Sequence, residues 1–455
     1  MGFVLTILYF ITYYLTPVTI FGPLAAYRIE LILAVLLIFI SLPRLPESFI
    51  HKTPQSIALL GLAFAVLFSV LIGMHWVGGS VNAFLAFIPN AFAYFLVCLH
   101  CDSKKKLQIV VLMLLVVCLF VIAHGFADVL YASETVTPDA DITIANPYVL
   151  AQPNGEASVL YRLRGLGEIN DPNDFAQLIV CTIPLMFIFW RPRSIFRNFF
   201  VVLVPVSVLL FGAYLSHSRG AMLAILAMAV VAGRRRVGWV PSVLLAIALF
   251  AGASALNFTG GREISANAGS DRTGLWGAGL QMVKSHPLFG VGFGNFADYA
   301  GLTAHNSVVV CAAELGVFGL YFWSLFLLPT LKDALATASP VKVTTVEPIM
   351  PPIPPYAQMR SELEPIVKPA VDSLGLLMLL SLTGFLVAGW FLSRAFVMTL
   401  FLLAGMAEVV YEIALSQGTI SPRLSLGRAL RYAGGLAFSL VLLIYILLRT
   451  VNLMR

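Results

Sequence analysis

A histidine and an arginine between positions 271 and 323 offer the most reactive chemistry in the chain. His305 stands directly before an apolar run of membrane length, and Arg272 stands near the start of a polar helix upstream. Imidazole accepts and returns a proton near neutral pH, and a hydroxyl nucleophile attacks well only when a base removes its proton. A structural histidine at the membrane interface is the alternative. The order of the two residues predicts a general base and a cation at one face of a bilayer.

Arginine residues at this face would suit a pyrophosphate, because a guanidinium stays charged and donates hydrogen bonds in a planar fork. Arg272 begins a predicted amphipathic helix, capped by Ser270 or Asp271, where the helix dipole also favours an anion. The same helix face presents Trp276, which suits the headgroup level. Arg219, in the sequence SHSRG between two apolar runs, would face the same surface. Contact with lipid headgroups alone is the alternative for both arginines.

A third group of polar residues precedes the next predicted span upstream. The segment RLRGLGEINDPNDF contains Arg164, which could be a third phosphate contact. Asn173 and Asp174 offer an amide and a carboxylate that could bind sugar hydroxyls. Asp-Pro-Asn-Asp also starts a helix well by itself, so local capping is an equal alternative.

Three further ionisable residues are expected to support the site rather than react. They are His217, His286 and Glu314. An ionisable side chain within a span is a functional candidate by default, although Glu314 could equally orient His305. Asn306, beside the predicted base, is expected to bind substrate.

The composition requires a membrane around these residues. Hydrophobic residues make up 60% of the 455 positions and charged residues only 11%, a balance that no water-soluble domain of this size would show. A span needs about twenty apolar residues, because lipid offers the backbone no hydrogen-bonding partner. On that criterion we predict an all-α polytopic integral membrane protein with about 12–13 transmembrane helices.

Basic clusters predict the orientation of these helices. The clusters are Lys104 to Lys106, Arg191 with Arg193, and Arg234 to Arg236. All three fall on the cytoplasmic side if the N-terminus is cytoplasmic, as the positive-inside rule requires. The residues of the predicted site then lie on the outer side.

Five motifs follow one another along this part of the chain. They are RLRGLGEINDPNDFA, SHSRG, R-x-x-x-W at Arg272 and Trp276, HPLFGVGFGNF, and AHNS followed by ELGVFGL. In this order they resemble the O-antigen ligase and polymerase superfamily of bacterial envelope proteins. The motifs cover about residues 162 to 323, and the flanking helices are similar to the family only in hydropathy.

The resemblance and the hydropathy pattern together predict seven segments, including a periplasmic helical subdomain. The segments are N-terminal transmembrane helices (1–127), a first long periplasmic loop (128–173), central transmembrane helices (174–257), a periplasmic catalytic loop (258–305), one transmembrane helix (306–330), a Pro-rich cytoplasmic loop (331–373) and C-terminal transmembrane helices (374–455).

The resemblance implies a lipid-carrier-dependent glycosyltransferase of the bacterial inner membrane, with its active site on the periplasmic side. The donor would be a glycan linked through pyrophosphate to undecaprenyl lipid, and the acceptor would be lipid A-core or another glycan. Arg219 and Arg272, with Arg164, would hold the pyrophosphate. His305 would deprotonate the acceptor hydroxyl, which attacks the anomeric carbon with inversion. Neither cofactor nor metal is implied, since guanidinium groups would neutralise the leaving charge.

Two alternatives stay open. A polymerase, which uses a second carrier-linked repeat unit as acceptor, needs the same catalytic groups. A non-enzymatic lipid-oligosaccharide flippase would use the cations only to bind a headgroup, and it predicts pseudo-symmetric halves and ionisable residues spread through the membrane.

Other classes of function lack their motifs. No Walker loop, dinucleotide fingerprint or zincin helix is present. The five cysteines show no convincing disulfide or metal-site spacing, and the basic residues do not gather into a nucleic-acid-binding motif.

Overall fold

The computed structural model describes residues 1–17, 22–46, 48, 50, 53–135, 145–151, 157–261, 266–338, 371–418, 420 and 422–453. Most of the predicted Pro-rich loop at 331–373 lies outside these ranges, as do residues 136–144 and 152–156 of the first long loop.

Helices make up most of the described chain. In chain order they are α1 (Gly2–Leu15), α2 (Ile29–Ser41), α3 (Pro54–Gly73), α4 (Val77–His100), α5 (Lys104–Thr135), α6 (Pro172–Leu185), α7 (Ile195–Leu215), α8 (Arg219–Val237), α9 (Trp239–Ala255), α10 (Ala266–Ser285), α11 (Phe296–Ala300), α12 (Ser307–Ala338), α13 (Val371–Gly389), α14 (Met398–Ser416) and α15 (Leu426–Leu453). The helix α5 therefore extends past residue 127, and α12 extends past residue 330.

A β-hairpin lies within the segment predicted as the first long loop. Strand β1 (Ala145–Ala151) pairs antiparallel with β2 (Ala157–Leu163), and Ala145 is opposite Leu163. The sequence analysis did not anticipate this hairpin, because two strands of seven residues give too short an alternation to stand out beside long apolar runs.

The prediction of an all-α polytopic membrane protein is confirmed. Within the described residues, eight helices are long and apolar enough to cross a membrane, and three shorter helices are also apolar. The eight are α3, α4, α5, α6 with the helical turn that follows it, α7, α12, α14 and α15. These eight are fewer than the 12–13 spans that the sequence predicts, because α1, α2, α8, α9 and α13 are too short or too polar to meet the full criterion. Length and hydropathy alone therefore do not establish these five helices as spans.

Helix α12 lies at the centre of the bundle. It packs against α3, α13, α14 and α15, while α14 also packs against α4. The most hydrophobic window of α14 is 83% buried inside the protein, whereas that of α15 is only 17% buried. Apolar side chains on α15 consequently face the lipid, which solvates them as well as the protein interior does.

The central helix is interrupted at Gly316. This residue has φ 67° and ψ −166°, outside the helical region, within a segment that is otherwise helical. A left-handed φ of this kind suits glycine, which has no Cβ. The interruption leaves backbone N–H and carbonyl groups without hydrogen-bonding partners in the helix. Lipid cannot supply such partners, so another part of the protein must.

The turn at 286–295, which contains the HPLFGVGFGN sequence, supplies those partners. Val291 N–H donates to the Ala313 carbonyl (2.9 Å), and Gly292 N–H donates to the Glu314 carbonyl (3.1 Å). Beyond the interruption, Val317 N–H donates to the Pro287 carbonyl (2.9 Å). The two motifs HPLFGVGFGNF and ELGVFGL are thus the two halves of one backbone-to-backbone contact.

The basic clusters gather at the far end of α12 from His305. Arg235 donates to the Ala338 carbonyl at the last residue of α12. Gln108, one turn from the Lys104 to Lys106 cluster, donates to the Ile188 carbonyl (3.3 Å), close to Arg191. The protein therefore has one basic end and, at the start of α12, an end that contains the predicted site.

Candidate functional site

The loop 390–394, between α13 and α14, holds the predicted base in place. The chain enters α12 through His305, Asn306 and Ser307, and all three are hydrogen-bonded to this loop. The bonds run from His305 N–H to Ser393 Oγ (2.9 Å), from Asn306 Nδ2 to the Trp390 carbonyl (3.0 Å) and from Ser307 Oγ to the Leu392 carbonyl (2.7 Å). The sequence analysis assigned most of this loop to a span and missed its role.

His305 adopts a left-handed backbone conformation, with φ 49°. Histidine enters this region more often than most residues, but the conformation is strained and requires support from the surroundings. The hydrogen bond to Ser393 gives that support. Because this bond holds the backbone in place, it also fixes the position of the half-buried imidazole.

The pKa of His305 lies below its ordinary value. Burial disfavours the imidazolium, and the positive charge of Arg272 disfavours it further, whereas Asp171 acts weakly in the opposite direction. A lowered pKa keeps the imidazole neutral at physiological pH, and only the neutral form can accept a proton.

Arg272 and Trp276, on α10, both contact the loop 390–394. The guanidinium of Arg272 stands over the ring of Phe391, 5.9 Å from its centroid. Trp276 donates from Nε1 to the Ala304 carbonyl (3.0 Å) and meets the Trp390 ring edge-to-face at 6.1 Å. The Trp276 side chain is buried and holds the backbone next to His305. Its predicted depth at the headgroup level stays a prediction.

Arg219 is the first residue of α8. Ser218 caps this helix by accepting a hydrogen bond from Ala221 N–H (3.3 Å), and Gly220 lies against Phe391. Arg272 instead lies in the second turn of α10, which begins at Ala266, so the predicted cap at Ser270 or Asp271 is wrong. The start of α8 and the second turn of α10 both reach Phe391, through Gly220 and Arg272. A helix N-terminus and a guanidinium both favour an anion.

The DPND segment performs the capping that the sequence left as an equal alternative. Asp171 accepts from the backbone N–H of Asn173 (2.7 Å) and from its side-chain amide (3.0 Å). Arg162, at the end of β2, donates to Asn173 Oδ1 (3.0 Å) and to the Ser216 carbonyl (2.9 Å). Asn173 therefore joins the hairpin to the start of α6, and the structure gives its side chain this positioning task. Arg164 follows two residues after Arg162, half-buried.

Asp174 forms a salt bridge with Arg394, a residue that the sequence analysis did not single out. The Asp174 side chain is 5% exposed and the Arg394 side chain 30% exposed. Burial alone would lower the pKa of Arg394, but Asp174 and the nearby carboxylates of Asp171 and Glu168 raise it above its ordinary value. The sequence did contain a signal that could have identified Arg394. It is a single arginine between two apolar runs, on the predicted periplasmic side, where the positive-inside rule disfavours basic residues.

The remaining predicted residues occupy supporting positions. Asn306 is fully buried and caps α12 by accepting from Val308 N–H and Val309 N–H, so its side chain offers no surface to a substrate. His217, also buried and left-handed (φ 48°), lies 3.0 Å from the Phe258 carbonyl through Nδ1. His286, at the end of α10, lies 3.0 Å from Ser285 Oγ.

Glu314 lies where the interrupted helix meets the 286–295 turn. Its carboxylate accepts from Phe296 N–H (3.3 Å), so it holds the start of α11. Glu314 also lines a cavity of about 510 Å³, together with Thr303 and Ser393, which flank His305 in space. Neither His305 nor Arg272 lines this cavity; they stand beside it.

Comparison with known proteins bears on this arrangement. No curated protein sequence matches the chain. Residues 204–324 match the family model described as "O-Antigen ligase". The matched range includes Arg219, Arg272 and His305 and ends before Arg394. The match confirms the resemblance read from the motifs over residues 204–324 and supports the O-antigen ligase superfamily; the RLRGLGEINDPNDFA motif lies before the matched range.

Proposed function

We propose that the protein is an inverting glycosyltransferase of the O-antigen ligase type. It transfers a glycan from undecaprenyl pyrophosphate to an acceptor hydroxyl of lipid A-core. The transfer takes place at the periplasmic face of the bacterial inner membrane.

The observation that supports this proposal most is the setting of His305. Its backbone is fixed by Ser393, and both burial and Arg272 lower its pKa. A neutral, positioned imidazole is the group that a hydroxyl nucleophile requires. His305 would take the proton of the acceptor hydroxyl as the new glycosidic bond forms, and the bond from the anomeric carbon to the pyrophosphate oxygen would break.

The leaving group would be stabilised by arginine residues. Arg272 stands over Phe391, and Arg219 precedes Gly220, which lies against the same residue. Arg164 would add a third guanidinium just after the hairpin. Fixed cations at the position where charge develops lower the barrier without a metal ion. Metal independence is accordingly part of the proposal.

The arrangement of charge along the bundle supports the proposed side of the membrane. The basic clusters lie at one end of α12 and His305 at the other. If the basic end is cytoplasmic, a lipid-linked donor reaches His305 from the periplasmic leaflet.

The test is a transfer reaction with purified protein. The wild type would be supplied with an undecaprenyl-pyrophosphate glycan from the producing cells and with either lipid A-core or a second carrier-linked repeat unit. The variants would be His305→Ala and Arg272→Ala. Matched controls would be His75→Ala, an exposed histidine with the same left-handed backbone (φ 55°), and Lys284→Ala at the opposite end of α10.

We expect the wild type to release undecaprenyl pyrophosphate when lipid A-core is the acceptor. Both site variants should lose this release, and both controls should retain it. The wild type should also retain it in the presence of a metal chelator. We expect His305→Ala to slow transfer by about 10²–10⁴-fold, the usual contribution of a positioned base. Release only with the second repeat unit would assign a polymerase. No release with either acceptor would refute the transferase and favour the flippase.

A further inference from the structure

The 510 Å³ cavity beside His305 differs in charge from the arginine cluster. Three carboxyl groups line it, from Glu30, Glu168 and Glu314, and among the described residues the one cation on its wall is Arg394. The charge of Arg394 is already matched by Asp174 through their salt bridge. Carboxyl groups therefore outnumber cations on this lining, while the region around Arg272 and Arg219 is basic.

An acidic cavity does not suit a pyrophosphate. Like charges within a few ångströms repel more strongly inside a protein than in water, because the local dielectric constant is low. A lipid-linked substrate has one strongly anionic portion, the pyrophosphate, and the arginine cluster lies outside the cavity. The cavity is consequently left for a portion of substrate that is uncharged or cationic.

The other side chains of the lining fit a sugar. Tyr13 donates to Asn90 Oδ1 (2.6 Å), which fixes a ring and an amide together at the wall. Phe293 and Phe396 pack with ring centroids 5.5 Å apart and add apolar surface. Carboxylates, an amide and hydroxyls can bind the many hydroxyl groups of a saccharide. A volume of about 510 Å³ lies within the range of small-molecule sites.

We propose that this cavity is a saccharide subsite that binds uncharged sugar residues of a glycan substrate and excludes its pyrophosphate. This inference rests on the proposed function and extends it. It divides the substrate between two adjacent regions, with the phosphates at Arg272 and Arg219 and the sugar beneath the loop 390–394. The saccharide belongs either to the donor or to the acceptor, and the two sources are separable by experiment.

The experiment fills the cavity and measures binding to the full-length protein in nanodiscs. The variant Ala86→Trp places a large ring at a lining position of α4. Its matched control is Val81→Trp, at an exposed position of the same helix that is not part of the lining. Calorimetry would compare two probes, the glycan-bearing undecaprenyl pyrophosphate of the producing cells and bare undecaprenyl pyrophosphate. Thermal melting would establish that each variant is folded.

We expect Ala86→Trp to weaken binding of the glycan-bearing carrier by about tenfold or more, equivalent to about 1.4 kcal/mol, and to leave bare undecaprenyl pyrophosphate unaffected. Val81→Trp should change neither. Unchanged donor binding with a raised KM for the acceptor would assign the same subsite to the acceptor glycan.

Three results would overturn the subsite. In the first, Ala86→Trp weakens binding of both carriers equally. In the second, this variant changes neither donor binding nor the acceptor KM. In the third, the wild type binds the glycan-bearing carrier no better than the bare one, and Ala86→Trp does not change the acceptor KM. Failure of the proposed function can be distinguished from failure of the subsite. If the wild type binds the glycan-bearing carrier selectively but never releases undecaprenyl pyrophosphate, the subsite stands and the transferase is refuted.

Discussion

At the scale of single residues, the site depends on a base whose environment keeps it neutral. His305 is half-buried, backbone-strained and close to Arg272, and the burial and the nearby charge both favour the neutral imidazole. The arginine would therefore have two effects, one on the leaving pyrophosphate and one on the proton affinity of the base.

The pH dependence of transfer follows from the lowered pKa of His305. Transfer requires the deprotonated imidazole, so the rate should fall only as pH drops through a pKa below the ordinary histidine value of about 6.5. Arg272→Gln removes a charge that opposes protonation, so the pKa should rise and the acid limb of the rate profile should move to higher pH. The measurement is the rate against pH for wild type and variant.

Arg219→Gln is the control for this shift. Arg219 is not among the groups that perturb the His305 pKa, so the variant should lower the rate without moving the acid limb. An acid limb that stays in place in Arg272→Gln would contradict the coupling between the two residues.

Arg394 and Asp174 provide a second test at this scale. Arg394→Ala would leave the 5% exposed Asp174 carboxylate without its counter-ion. We expect a loss of about 3 kcal/mol in the free energy of unfolding, at the low end for a broken buried pair because Arg394 is partly exposed. Lys106→Ala removes an exposed pair with Asp102 instead and should cost at most about 0.5 kcal/mol.

Thermal melting in one detergent would compare these variants with the double variant Arg394→Ala and Asp174→Asn. The double variant should recover part of the loss, because the neutral amide tolerates burial better than the carboxylate. A double variant no more stable than Arg394→Ala would count against an ionised buried pair.

At the scale of elements, the interrupted helix α12 and the 286–295 turn form one unit. A Cβ on Gly290 would stand 2.4 Å from the Glu314 carbonyl carbon, and a Cβ on Gly316 would stand 2.4 Å from that of Leu288. Both glycines are left-handed, with φ 70° and 67°. The two segments approach so closely that only glycine fits at these positions.

Gly290→Ala should therefore destabilise the folded protein more than a left-handed backbone alone explains. Gly418→Ala, with φ 67° and open space around its Cβ, should cost only the conformational penalty of about 1–2 kcal/mol. Gly290→Ala adds a backbone clash, so its folded yield and melting temperature should fall well below those of Gly418→Ala. Equal behaviour of the two variants would show that the turn can move away from α12.

At the scale of the whole molecule, the bundle separates a basic end from the end that contains His305. Helix α12 connects the two, and its 32 residues would extend about 48 Å if continuous, longer than the hydrocarbon core of about 30 Å. Interruption and kinking at Gly316 shorten it. The contacts of Arg235 and Gln108 group the basic clusters at one end independently of the sequence order.

The proposed orientation predicts which side of the membrane each end faces. All five native cysteines are buried, so background labelling by a membrane-impermeant thiol reagent should be low. A cysteine replacing Leu302, which is 63% exposed near His305, should react from the periplasmic side. A cysteine replacing the exposed Lys104 should react only after the cytoplasmic side is opened. The reverse pattern would place the site in the cytoplasm and exclude a periplasmic donor.

The sequence by itself determined the membrane class, the approximate positions of most helices and the kind of chemistry that the side chains of His305 and Arg272 offer. These follow from local properties, since an apolar run must form a helix in lipid whatever its neighbours are, and an imidazole accepts protons in any fold. The motifs HPLFGVGFGNF and ELGVFGL could be recognised, but not the fact that they pair with each other.

The tertiary structure decided how those groups are held. Ser393 lies 88 residues after His305, and Arg394 binds Asp174 across an even longer separation. No local pattern encodes such contacts, because they depend on how α6, α12 and α13 pack. For the same reason the sequence did not show that Asn173, Trp276 and Asn306 hold the backbone around the site.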